Sequence, residues 1–122
     1  MGGTSMVVVE NLSKRVTEDD AKHNYFYRLV KNEISVLTNG EFTLVQAYGI
    51  EIERQDIVED IVVFIERDCV QNISPQRHKV KNLIKMLYDN TVSPIHMIDV
   101  LGDYIDEYTR DFDEMLKNIA TC

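Results

Sequence analysis

The chain has no tryptophan, two cysteines, two prolines and five glycines in 122 residues, and each shortage removes a class of protein. Cys69 and Cys122 stand too far apart for a zinc ligand pattern and are too few for a disulfide framework, so a reducing cytoplasm is the expected compartment. The glycines are scattered, with only Gly2 and Gly3 adjacent, so there is no phosphate-cradling loop and no dinucleotide fingerprint. No G-x-S-x-G elbow marks a nucleophile. Apolar runs stop at MVVV and IVVFI, far short of the roughly 18 residues that a membrane span needs. A basic head and apolar stretch are missing from the N-terminus, which argues against a signal peptide. Met6 stands where a myristoylation motif after Gly2 wants serine or threonine. Positive charge is also scarce: 13 Lys and Arg against 21 Asp and Glu give a net charge of −8, which disfavours nucleic acid or an anionic membrane as partner.

What is present reads as one soluble domain over residues 6–122, with residues 1–5 a flexible tail and Met6 an alternative start. The first part alternates. Val7–Val9 through Leu12–Val16 suggest a strand, and a charged turn over Thr17–Lys22 follows. In NYFYRLV, Tyr25, Tyr27 and Leu29 share one face and Phe26, Arg28 and Val30 the other; the KNE segment is a possible bulge before ISVL. Asn39-Gly40 is the strongest local signal, a two-residue hairpin turn with positive φ at both positions. Beyond it Phe42, Leu44, Tyr48, Ile50 and Ile52 line one face, opposite Thr43, Ala47, Glu51 and Glu53. Gly49 sits inside this strand, which marks a bulge or a close approach by another backbone. A turn expected over Arg54–Glu59 leads into DIVVFIERDCV, apolar on both faces and therefore predicted to be central or covered by a second subunit.

The period then changes to 3.6. Ser74-Pro75 opens a first helix with Val80, Leu83, Ile84 and Leu87 as its buried stripe, ending at Asp89-Asn90. Ser93-Pro94 opens a second, in which Ile98, Leu101, Ile105, Tyr108, Phe112, Met115 and Ile119 form an unbroken seam. One continuous helix to Ile119 would be about 39 Å long, more than a small sheet covers. Strands first and helices last predict an α+β fold: an antiparallel meander of three to four strands, followed by two C-terminal helices packed on one face.

Chemistry is thinly signalled. His96, Asp99 and Asp103 recur at steps of three and four, so they share a helix face and could ligate a metal or act as acid and base. Carboxylates in a first turn are equally explained by the helix dipole. His78 would reach His96 only through a second subunit, because the two helices run antiparallel. The first helix is basic at Arg77, Lys79, Lys81 and Lys85, and the second is acidic from Asp99 to Glu114, which reads as complementarity between neighbouring helices and ordinary solvated faces.

Three segments carry a family likeness: Tyr48-Gly49-Ile50, Ile73-Ser74, and Ser93-Pro94-x-His96 leading into Asp99-Val100 and Asp103. The order resembles a family of small clostridial proteins grouped as a domain of unknown function, over Tyr25 to Ile105, with Asp106–Cys122 extending past it. The resemblance implies a bacterial, cytoplasmic α+β domain, imports no activity, and raises Tyr48 with His96 and Asp103 as a shared site. The leading expectation is therefore a non-enzymatic interaction or regulatory module without a cofactor. It would be a homodimer, or bind another protein, through Ile105, Tyr108, Phe112, Met115 and Ile119. The alternatives are a metal- or ligand-binding protein or enzyme using Tyr48, His96, Asp99 and Asp103, and an acidic protein that neutralises a basic partner.

Overall fold

The computed structural model describes residues 6–121, with side chains to residue 116. Four strands, β1 (Val7–Glu18), β2 (Ala21–Thr38), β3 (Glu41–Val58) and β4 (Ile61–Ser74), form one antiparallel meander in sequence order. Then come α1 (Arg77–Asp89), a 3-10 turn (Pro94–His96), α2 (Met97–Tyr108) and α3 (Arg110–Thr121). This is the predicted α+β arrangement.

The turns set the register. Asn39 and Gly40 take φ of 54° and 80°, as a twist-matched two-residue hairpin requires. Glu59 and Asp60 do the same at 50° and 65°, so β3 runs on to Val58 and the second turn is tighter than expected. The first turn is equally narrow, with Asp19 at φ 53° between Glu18 and Ala21. No bulge interrupts β2, which pairs with β3 without a slip from Lys22 to Thr38.

One side of the sheet is packed by helices. Tyr25, Tyr27, Leu29, Tyr48, Ile50, Ile52 and Ile73 form a core with Val80, Leu83, Ile84 and Leu87 of α1 and Met97 and Leu101 of α2. The α1 stripe is the one the periodicity predicts. Ser74 does not cap that helix directly; Gln76 is the N-cap, and its backbone N–H donates to Ser74 Oγ at 3.0 Å. Tyr27, fully buried, donates its hydroxyl to the Val92 carbonyl at 2.9 Å and so ties the connection after α1 to the sheet.

At Gly49 the backbone of β4 lies close against β3. Tyr48 pairs with Ser74 but Ile50 pairs with Val70, so β4 carries extra residues opposite Gly49. A Cβ on Gly49 would lie 2.0 Å from the Val70 carbonyl oxygen and 2.3 Å from that of Gln71. The Gln71 carbonyl in turn accepts from Asn32 Nδ2 at 3.4 Å, reaching past β3 to β2. Met6, at the start of β1, places its sulfur 3.7 Å from Cys69 Sγ on β4. Strands at opposite edges of a flat four-stranded sheet would be about 14 Å apart, so the sheet curls strongly at this end.

Two expectations are corrected. DIVVFIERDCV is not central: β4 is an edge strand. It loses its two-fold alternation at a bulge between the Asp56–Phe64 and Ile57–Val62 pairs. The long C-terminal helix is also not continuous. It starts as a 3-10 turn and bends at Thr109, whose hydroxyl donates to the Asp106 carbonyl at 3.1 Å. The bend lets Asp111 reach back to Lys79 Nζ at 2.9 Å and accept from Ser74 Oγ at 3.1 Å. Along the seam Met97 is buried in place of Ile98, which is half exposed.

Candidate functional site

The residues singled out by motif do not form a joined cluster. Tyr48 is buried in the sheet core, its hydroxyl donating to Gln46 Oε1 at 3.4 Å. His96 ends the 3-10 turn, and Asp99 and Asp103 lie on α2; all three are exposed. Among the described residues no hydrogen bond or ion pair links them to one another or to Tyr48, and no group of three or more His, Cys, Asp or Glu is placed to hold a metal. Of the seam, Ile105 and Tyr108 pack partly on the core and Phe112 and Met115 are half-buried. The Ile119 side chain lies outside the described residues. Among the described residues one ion pair joins the basic helix to the acidic helical segment, Lys79 to Asp111 of α3, while Arg77 and Lys81 instead reach Glu10 of β1 at 3.0 Å. Those two cations hold the Glu10 carboxyl below its ordinary range.

Two polar clusters emerge from strand register instead. On the side away from the helices, Glu53 is buried and takes hydrogen bonds from Arg28 (2.9 Å), Arg67 (3.0 Å) and Gln55 (2.7 Å). Arg28 also bonds Glu51 at 2.9 Å and stacks over Phe26. Burial alone would raise the Glu53 carboxyl, but the bonds and charges of Arg28, Gln55 and Arg67 outweigh it and hold it below its ordinary value. Cys69 beside this cluster is pushed up by burial and by the nearby Glu51 and Asp68 charges, which makes it a poor nucleophile.

The second cluster lies on the helix side, near the β1–β2 and β3–β4 turns. His23 Nδ1 sits 2.6 Å from Asp56 Oδ1, and Arg54 Nε donates to the same oxygen at 3.0 Å. Burial opposes the Arg54 charge, but Asp56 and Glu66 outweigh it and keep the guanidinium pKa above its ordinary value. Tyr25 packs edge-on to His23 and flat on Tyr27, and burial pushes its hydroxyl up. A histidine fixed at Nδ1 by a carboxylate has Nε2 free for proton transfer. Among the described residues, no serine, threonine or cysteine is hydrogen-bonded to the pair.

The most conspicuous surface is apolar. Ile61, Val62, Val63, Phe64 and Ile65 are consecutive on the free edge of the sheet, and each is 43–64 % exposed. At the opposite end of the sheet the β2–β3 hairpin projects beyond both neighbours, and exposed Leu37, Phe42 and Leu44 form a separate group at its tip. The other edge mixes the two: β1 exposes Val7, Val8 and Leu12 but interrupts them with Glu10, Lys14, Arg15 and Glu18.

A family model described as a family of unknown function (DUF6514) matches residues 6–107. The chain belongs to this family. The DUF6514 match takes in the whole sheet, α1 and nearly all of α2, so both polar clusters and the apolar edge fall inside it, while α3 lies beyond. Neither the curated proteins nor the solved structures include a match to the chain. None of its described helices is long and apolar enough to cross a membrane.

Proposed function

We propose that this DUF6514 protein is a non-enzymatic protein-interaction module of the bacterial cytoplasm, and that its contact element is the free edge of β4. One observation carries the reading: five consecutive apolar residues, Ile61–Ile65, stand exposed on an edge strand with no charge among them. Proteins whose edge strands face water normally blunt them with lysine, proline or a bulge that turns the edge away. Here the bulge opposite Ile57 disturbs the alternation but leaves the apolar residues outward. An exposed apolar patch of this kind marks a surface that meets another macromolecule.

The C-terminal seam supports the same reading less strongly, because Ile105 and Tyr108 already pack on the core. A ligand-binding role for His96, Asp99 and Asp103 has only their shared helical spacing behind it. The His23–Asp56 pair is part of a closed set of hydrogen bonds with Arg54, which suits holding two strands in register.

The test is a photo-reactive amino acid placed at Val63 in living cells, with the same residue at exposed Lys85 as control. Cross-linked product at position 63 and none at 85 is the expected result. No product at position 63 would refute an interaction through β4.

A further inference from the structure

Building on the interaction reading, we infer that the occupant of the β4 edge is β4 of a second copy of this chain, the two pairing antiparallel about a two-fold axis to join two four-stranded sheets into one. The edge residues are apolar on both faces of the strand, with Ile61, Val62, Val63, Phe64 and Ile65 all exposed. Stacking a helix or a second sheet on one face would leave the other face wet. Pairing edge to edge sets side chains on both faces against those of the neighbouring strand, which is the arrangement that uses them all. It also satisfies the outward N–H and C=O groups of the edge.

With fully exposed Val, Ile and Phe at roughly 150–200 Å² each, the whole-residue exposures of Ile61–Ile65, main chain included, amount to about 450 Å² per copy. Two copies present about 900 Å² between them, which places the contact at the small end of the size range for specific interfaces. A two-fold contact is self-complementary, so the same strand serves both partners. Assembly stops at two copies, because the remaining edge of each sheet is β1, where Glu10, Lys14, Arg15 and Glu18 break up the exposed Val7, Val8 and Leu12.

Charge fixes the salt dependence. Pairing centred on Val63 sets Asp60 of one copy opposite Glu66 of the other and Glu59 opposite Arg67, and the stretch from Glu59 to Asp68 carries four carboxylates against that one cation. The flanks repel, and added salt screens that repulsion. Self-association therefore tightens as ionic strength rises, the opposite of an interface held by ion pairs.

Sedimentation of the purified chain, alone and with Ile61→Lys and Val63→Lys, tests this. The unsubstituted chain is expected as a dimer at micromolar concentration, with the dissociation constant falling by about threefold between low and high salt. Each lysine variant is expected as a monomer with an unchanged circular dichroism spectrum, since both positions are more than half exposed. If a variant fails to fold, protection of the β4 amides that increases with concentration in the unsubstituted chain replaces it. A chain that stays monomeric at high concentration, or lysine variants that remain dimeric, would overturn the pairing. A monomer that nevertheless cross-links through position 63 to a different protein in cells also overturns it, and leaves the interaction reading standing. A monomer without any cross-link removes both.

Discussion

Replacing Gly49 with alanine is expected to be the most damaging single-methyl change in the sheet. The added Cβ would meet the Val70 oxygen at 2.0 Å, the Gln71 oxygen at 2.3 Å and the Gln71 carbonyl carbon at 2.5 Å. All three atoms are backbone, so no side chain can swing aside. Relief requires β4 to move by about 1 Å at the bulge, which strains or breaks the Asn32–Gln71 bond and its neighbours in the ladder. Overpacking of this kind costs about 1–3 kcal/mol, and one or two lost hydrogen bonds add about 1 kcal/mol each. A loss of about 3 kcal/mol or more is expected, a large part of the 5–15 kcal/mol that a small domain has. Urea titration reads it directly, and a thermal melt should fall by about 10 °C. Gly102→Ala is the control: nothing lies within 4 Å of its Cβ position, it is inside α2, and the change should stabilise by about 0.5–1 kcal/mol. A Gly49→Ala protein within about 0.5 kcal/mol of the parent would show that the β4 backbone does not press on this position.

Glu53→Gln should cost about 2 kcal/mol at neutral pH, since it removes the charge that Arg28 and Arg67 share. Those partners hold the folded carboxyl below its ordinary 4.5, so its contribution is present above about that pH and is lost as acid protonates the folded state. The acid limb of the stability profile should therefore flatten in the variant; parallel profiles would refute the assignment. Asp111→Ala removes the bonds to Ser74 and Lys79 and should cost about 1 kcal/mol, with faster amide exchange confined to α3. Unchanged exchange in α3 would show that the bend at Thr109 is held by other contacts.

Much of this molecule is legible in its sequence because its elements are local. Asn39-Gly40 dictates its turn, and Val80, Leu83, Ile84 and Leu87 show their stripe by spacing alone. Gly49 announces a close approach without saying by what. The polar clusters were within reach as well: counting outward from Asn39-Gly40 sets Arg28 opposite Glu51 and His23 opposite Asp56. What spacing does not carry is position in the sheet. IVVFI reads like a buried strand, and only the meander order makes it an edge. The bend at Thr109 was hidden for a similar reason: the seam around it is unbroken, and the bend is tied to Asp111 by Ser74 and Lys79, more than 30 residues away.

Amide hydrogen exchange at Ile61–Ile65, followed by mass spectrometry across a hundredfold range of protein concentration, goes most directly to the role of this strand. An edge engaged with a second copy predicts slow exchange that becomes slower as concentration rises. Fast, concentration-independent exchange at these five residues would contradict it.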